Sequence, residues 1–214
     1  MAIFSNQATL TYNGNSTNSN IVYGELLEVL TATKTAVEST YLPGELLTYV
    51  VTLRNTGTTA LTGLTLSDDL GGYPFGTGTV YPLTYEAGSI LVFTNGIPQA
   101  APAVTAGPPL GITGITVPAG GDTVIVYQAR VNSFASPEDG STIVNTVTIT
   151  GGGLAAPVTA TETVTAESAP ALTITKSISP SQVVDNQQIT YTFVIQNTGN
   201  TPVVATDNAA ITDT

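Results

Sequence analysis

The chain has 214 residues, 42% of them hydrophobic and only 9% charged, and a net charge of -11 at pH 7. It contains no cysteine and no histidine, which excludes disulfides, thiol nucleophiles, histidine bases and Cys/His zinc sites. The negative charge argues against nucleic-acid binding and against docking on anionic lipid. No apolar stretch is long enough for a transmembrane helix, so membrane insertion is not expected. We expect neither a cofactor nor a bound metal.

The first segment, residues 1–29, lacks the basic and apolar regions of a signal peptide. Either a leader has been removed, or export follows another route, such as lysis of a sporulating mother cell. The stretch SNQATLTYNG at 5–14 resembles VNTVTITGGG at 144–153. The segment is therefore interpreted as the last hairpin of a repeat whose beginning is absent. Strand alternation places Phe4, Ala8 and Leu10 on one face, with Asn6 on the same face.

The second segment, residues 30–167, is interpreted as one complete copy of the repeat. Its short alternating strands are separated by glycine and asparagine turns, and no helical periodicity is present. This pattern predicts an all-β fold, an immunoglobulin-like antiparallel β-sandwich. Within it, Leu47, Tyr49, Val51 and Leu53 are predicted to face the core.

The third segment, residues 168–214, repeats the beginning of the second. Residues 175–199 match residues 33–57 without a gap. The recurring positions are Lys34/Lys176, Tyr49/Tyr191, Asn55/Asn197 and Gly57/Gly199. The segment is predicted to hold the first strands of a second sandwich, and we expect the natural chain to continue beyond Thr214.

Polar side chains recur on otherwise apolar strand faces. Lys34 shares its face with Leu30, Asp68 with Leu66, and Asn145 with Val147. Each is predicted to face a core, where an unpaired charge is costly. In the incomplete copies Lys176, Asp213 and Asn6 occupy the corresponding positions, so that the first segment supplies the Asn and the third the Lys and Asp.

The order of these motifs is a Lys on the first strand, N-T-G after the second, S-D or T-D on the third, and N-T-x-x-x-T on a late strand. It resembles the prokaryotic conserved-repeat surface domains, a domain-of-unknown-function family. It is also similar to the isopeptide-forming sandwiches of pilins and collagen adhesins. The resemblance implies that Lys34 attacks the side-chain amide of Asn145, polarised by a protonated Asp68, and that ammonia leaves. The alternative is an unreacted Lys34–Asp68 ion pair with Asn145 as a hydrogen-bond partner.

The complementary fragments at the two ends predict a non-enzymatic structural subunit of an extracellular fibre or pilus-like appendage on a cell or spore surface. Copies of the chain would join head to tail by donor-strand complementation, with residues 1–29 entering residues 170–214 of a neighbour. Phe4, Ala8 and Leu10 would anchor the donated strand. Asn6 would then meet Lys176 and Asp213 for an intermolecular bond.

Two other functions are considered. An adhesive or carbohydrate-binding module of a longer surface protein would present an exposed aromatic patch at a loop end. A hydrolase is disfavoured because no credible catalytic set is present. Tyr81, Tyr85 and Tyr127 are interpreted as packing residues rather than sugar platforms, and Asp68-Asp69 as a turn rather than a calcium site.

Overall fold

The computed structural model describes residues 2–26 and 28–214. The only helix in these ranges is a single turn of 3₁₀ helix at Ala205–Asp207, and no helix there is long and apolar enough to cross a membrane. The all-β prediction is confirmed. The strands in chain order are β1 (Ala2–Asn6), β2 (Thr9–Tyr12), β3 (Asn15–Asn18), β4 (Val22–Leu26), β5 (Leu30–Ala36), β6 (Thr40–Tyr41), β7 (Leu46–Asn55), β8 (Leu61–Asp68), β9 (Tyr73–Phe75), β10 (Gly78–Val80), β11 (Leu83–Tyr85), β12 (Leu91–Thr94), β13 (Ile97–Pro98), β14 (Ala103–Thr105), β15 (Leu110–Val117), β16 (Asp122–Val131), β17 (Thr142–Gly151), β18 (Val158–Ala166), β19 (Leu172–Ser179) and β20 (Thr190–Asn197).

Two sheets form a sandwich from β5 to β18. The first has the order β13-β12-β16-β7-β5, with β11 also pairing with β16. The second has the order β14-β15-β8-β17-β18-β6, antiparallel except for the β18–β6 pair. Strand β5, at the edge of the first sheet, lies close to β18 of the second.

The core lies between the inner faces of these sheets. Strands β7 and β16 alternate between buried and partly exposed positions, as expected when one face of a strand packs on a core. Leu47, Tyr49, Val51 and Leu53 are fully buried, as predicted. Burial of each such side chain contributes roughly 1.5–3 kcal/mol.

The N-terminal segment forms a long hairpin. Strand β1 pairs with β4 and β2 with β3, and Asn13 and Gly14 make the turn with φ of 45° and 78°. Two successive positive φ angles are typical of the type I′ turn, which suits Asn-Gly. Described side chains on both faces, including Phe4 and Leu10, are exposed. We call residues 2–26 the N-terminal hairpin.

In the C-terminal segment, β19 and β20 form a separate two-stranded sheet. Its register equals that of β5 and β7: Lys34 lies opposite Val51, and Lys176 lies opposite Phe193, each 142 residues later. Every residue of both strands is exposed. This segment therefore has the geometry of the start of the sandwich without the strands that cover it.

The N-T-G motif forms the same turn in both copies. The Asn55 side chain donates to the carbonyl oxygens of Thr59 and Val117 and accepts from the Gly57 amide. Asn197 likewise donates to Thr201 and accepts from Gly199. The motif is structural, because an asparagine bonded to the backbone two residues on stabilises a turn.

Candidate functional site

Three strands of the sandwich bring the predicted polar residues to its interior. Lys34 lies on β5 of the first sheet, whereas Asp68 and Asn145 lie on β8 and β17 of the second. Strands β8 and β17 pair with Asp68 opposite Val147, so Asn145 is two residues along the same inner face. All three residues are buried.

Lys34 and Asp68 form a buried ion pair. The Lys34 Nζ lies 2.6 Å from Asp68 Oδ2, and both side chains are fully shielded from solvent. The ammonium also lies 4.9 Å from the centre of the Tyr49 ring, within the range of a cation–π contact. The pair joins the two sheets across the core.

The Asp68 carboxylate has further donors. The Tyr127 hydroxyl donates to Asp68 Oδ2, and the Leu70 amide donates to Oδ1 at 2.8 Å. Tyr127 stacks on Tyr49 with ring centres 5.6 Å apart. These contacts hold the carboxylate in place beneath the lysine.

Asn145 makes no hydrogen bond of good geometry in the part of the chain that the structure describes, although its amide lies near the Tyr49 and Tyr127 hydroxyls. Its Oδ1 and Nδ2 are both buried and without a hydrogen bond, as is the Tyr49 hydroxyl. The Asp68–Asn145 hydrogen bond implied by the resemblance is therefore absent. The ion-pair alternative also expected Asn145 to form a hydrogen bond, and none is present. An unsatisfied buried polar group costs about 1–3 kcal/mol, so this side chain is a destabilising feature as an unreacted amide.

Burial changes the protonation equilibria at this site. It lowers the pKa of Lys34 below its ordinary value of 10.5, and the negative charge of Asp68 only partly opposes this effect. Burial also raises the pKa of Tyr49 and of Tyr127, so both phenols stay neutral. A lowered lysine pKa increases the fraction of neutral amine, the form that can attack a carbonyl carbon.

A second, partial site lies on the C-terminal segment. Lys176 forms an ion pair with Asp213 and lies 4.4 Å from the Tyr191 ring centre, repeating the Lys34, Asp68 and Tyr49 arrangement. Here the Lys and Asp side chains are 38% and 46% exposed, against 0% for both in the first site. Among the described residues no strand covers this face, so both side chains are exposed within one chain, and a core formed with a second copy stays a prediction.

Asn6 is separate from this partial site. It lies on β1 opposite Val22, and its side chain is exposed on the N-terminal hairpin. Within residues 2–26 and 28–214, no hydrogen bond joins it to Lys176 or Asp213. Phe4, Ala8 and Leu10 are also exposed there.

Sequence reasoning missed the tyrosines of the buried site. Tyr127 was assigned to packing alone, yet its hydroxyl contacts Asp68. The available signal was its position on the buried face of β16, because a buried tyrosine hydroxyl usually has a polar partner. The repeat of Tyr49 at Tyr191, at the spacing of the lysines, was a second signal.

The remaining candidates have structural roles. Asp69 Oδ1 accepts from the amides of Gly71 and Thr146, which agrees with a turn. Tyr81 and Tyr85 pack against the core. The exposed aromatic side chains at one loop cluster are instead Tyr73, Phe75 and Phe134.

Comparison with known proteins shows similarity in structure only. No family model matches the chain, and no curated protein matches it, so membership of the conserved-repeat family stays a prediction. Among solved structures it is similar to the major pilin subunit of Bacillus cereus, with 10% identity, a TM-score of 0.50, and coverage of 92% of this chain and 64% of that one.

Two further pilins are similar over shorter stretches. The pilus backbone of Streptococcus pneumoniae is 15% identical with a TM-score of 0.45, covering 56% of this chain and 31% of its own. The full-length major pilin of Corynebacterium diphtheriae is 12% identical with a TM-score of 0.46. The match covers 70% of this chain and 37% of that pilin. The chain thus spans less than two thirds of each of these pilins. The likeness is one of fold: the sandwich has the β-sandwich fold of pilin domains.

Proposed function

We propose that this protein is a structural subunit of an extracellular fibre or pilus-like appendage, displayed on a cell or spore surface. Copies join head to tail through donation of the N-terminal hairpin to the C-terminal segment of the next copy. The observation that carries the proposal is that one end exposes a hairpin and the other exposes an uncovered sheet. The division into residues 1–29, 30–167 and 168–214 is part of the same proposal.

The proposed subunit carries an internal cross-link. The neutral amine of Lys34 attacks Cγ of Asn145, the Nζ–Cγ bond forms, and the Cγ–Nδ2 bond breaks. The Lys34 ammonium first gives one proton to Asp68, which stays protonated, and a second proton passes from Nζ to Nδ2, so that the nitrogen leaves as neutral ammonia. The unpartnered amide of Asn145 and the buried Lys34–Asp68 pair support this reaction, because condensation removes both a buried charge and an unsatisfied amide.

Intact mass measures the cross-link directly. We expect the protein to lose the mass of one ammonia for the internal bond, and the variant Asp68→Ala to retain it. Asp122→Ala is the matched control, since the Asp122 carboxylate pairs with Arg54 at the surface, and its cross-link should still form. An unaltered wild-type mass would leave Lys34 and Asp68 as a simple ion pair.

A second proposed cross-link joins neighbouring subunits. It forms between Asn6 of one copy and Lys176 of the next, beside Asp213 of that same copy. Filaments of the unaltered protein should survive boiling in detergent. Asn6→Ala should still form filaments, because the apolar anchors remain, but these should dissociate in hot detergent. Electron microscopy detects whether filaments form, and gel electrophoresis after heating in detergent detects whether they dissociate.

Deletion of residues 2–24 tests the head-to-tail assembly itself. The shortened protein should remain unpolymerised, because the donated strands are absent while the sandwich is intact. A melting curve equal to that of the unaltered sandwich is the control for folding. Filaments from the shortened protein would contradict donation.

An adhesive function is the second candidate, supported by one surface feature. Tyr73, Phe75 and Phe134 are exposed together, and the Tyr73 hydroxyl donates to the Phe134 carbonyl oxygen. Tyr73 and Phe134 line a pocket of about 350 Å³. Exposed aromatic rings are suited to stacking on sugars, so binding of a glycan that is lost in Phe134→Ala would favour this function.

A further inference from the structure

We infer that the Lys176–Asp213 pair is a preassembled half-site, which the N-terminal hairpin of a second copy completes in one defined register, with Ala8 opposite Asp213 and Leu10 opposite Ile211. This inference rests on the proposed function and specifies its partner surface. It also explains why the pair reacts only on docking, because the hairpin supplies both the Asn6 amide and the cover that the exposed pair lacks.

The half-site already has the geometry of the complete one. The register of β19 and β20 equals that of β5 and β7, and each lysine lies beside the tyrosine of the adjacent strand. Lys176 contacts Asp213 as Lys34 contacts Asp68. The Lys–Asp contact is therefore present before a partner arrives, and docking adds the strand pairing that β8 has in the complete sandwich.

The surface that surrounds the half-site is apolar and uncovered. A groove of about 280 Å³ runs between β19, β20 and the end of the chain. Its large side chains include Leu172, Ile174, Ile195 and Ile211. Ile211 is 54% exposed, whereas its counterpart Leu66 is fully buried.

The complete sandwich shows what covers this position. There β8 pairs with β17, with Val147 opposite Asp68 and Ile149 opposite Leu66. Leu66, Val147 and Ile149 are all fully buried. The corresponding groove of the C-terminal segment therefore accepts a hairpin equivalent to β17 and β18.

The N-terminal hairpin is that equivalent. It matches β17 from Asn6 at the position of Asn145, through Ala8 at Val147 and Leu10 at Ile149. Its apolar side chains are exposed in the single chain. Transfer of the β8–β17 register to these residues sets Ala8 opposite Asp213, which puts Asn6 two residues along the same face, beside Lys176.

Docking removes solvent from the half-site. Desolvation disfavours the ammonium form of a lysine, and the neutral amine is the form that attacks a carbonyl carbon. The bond then forms as in the first site: Lys176 Nζ joins Cγ of Asn6, and the amide nitrogen leaves as ammonia. A chain that has not docked keeps a free Lys176 amine.

Engineered cysteines test the register in the full chain, which has no cysteine of its own. The register sets Thr9 opposite Thr212 and Thr11 opposite Ala210, all four exposed in the single chain. Directly opposed strand residues lie within disulfide range, whereas positions offset by two residues lie beyond it. Each cysteine is placed in a separate copy, and two copies are mixed, so that only a contact between copies gives a linked dimer.

We expect Thr9→Cys with Thr212→Cys, and Thr11→Cys with Ala210→Cys, to give at least about tenfold more disulfide dimer than the swapped pairs. The swapped pairs use the same four cysteines and are the matched control. Preferential linkage of a swapped pair, or no linkage while filaments persist, would overturn the register and leave the fibre intact. Absence of both linkage and filaments would overturn the proposed function as well.

Discussion

Lys34, Asp68 and Asn145 are buried polar groups that apolar residues of similar size would replace at lower cost. A buried ion pair contributes little net stability, because desolvation offsets the attraction. Asn145 adds two unsatisfied groups. Their retention in a core of leucine, isoleucine and valine supports a chemical role for the set rather than a packing role.

Stability should depend on pH when the cross-link is prevented. In Asn145→Ala, burial holds the pKa of Lys34 below its ordinary 10.5 in the folded state only. Between the folded-state pKa of Lys34 and 10.5, the unfolded chain therefore binds more protons than the folded chain. In that interval the free energy of unfolding rises with pH, by up to about 1.4 kcal/mol per pH unit. Urea unfolding from neutral pH to about pH 9, one unit below the ordinary tyrosine pKa of 10.0, measures this slope while most phenols of the unfolded chain stay neutral.

The matched control for that measurement is the double variant Lys34→Met/Asn145→Ala, which cannot titrate at position 34. We expect its unfolding free energy to be flat over the same interval. Equal slopes in the two variants would show that Lys34 does not cause the dependence.

Among the elements, the N-T-G turn and the strand pairs are the parts that the two copies share most closely. The turn after β7 and the turn after β20 use the same hydrogen bonds, although the first is buried and the second exposed. This identity shows that short-range sequence is sufficient to specify the turn. Its energetic importance should nevertheless differ between the copies.

Asn55→Ala should destabilise the sandwich by about 1–3 kcal/mol, because it leaves buried backbone groups without partners. Asn197→Ala removes the equivalent bonds where water can replace them, so its effect on the sandwich should be close to zero. Guanidinium unfolding followed by tyrosine fluorescence compares the two. Equal destabilisation by both substitutions would contradict the role assigned to burial.

For the whole molecule, the proposed cross-link joins the first strand of the sandwich to one of its last two. Lys34 is on β5 and Asn145 on β17. A pulling force along the chain would therefore pass through the covalent bond and bypass the residues between. Such a connection suits a subunit that transmits tension along a fibre.

Single-molecule extension measures that bypass. The unaltered sandwich should show no unfolding step, whereas Lys34→Ala should lengthen by roughly 360–400 Å, since roughly 110 residues are released at about 3.3–3.6 Å each. Lys176→Ala is the control and should behave as the unaltered chain. Equal contour lengths in all three proteins would exclude a covalent bond between β5 and β17.

The sequence by itself determined the all-β class, the inward faces of the strands and the positions of the three polar residues. These follow from the two-residue period of a strand, which needs no knowledge of the partner strands. Its repeat also predicted that the strands after Glu167 correspond to the first strands of the sandwich, which agrees with the shared register of β5–β7 and β19–β20.

Only the tertiary structure decided how these residues meet. The Lys34–Asp68 contact, the Tyr127 hydroxyl at Asp68 and the isolation of Asn145 depend on the packing of two sheets and on registers between strands far apart in sequence. The tertiary structure also decided how far Lys176 and Asp213 are exposed within one chain, because strand periodicity identifies an apolar face but does not show which strand covers it.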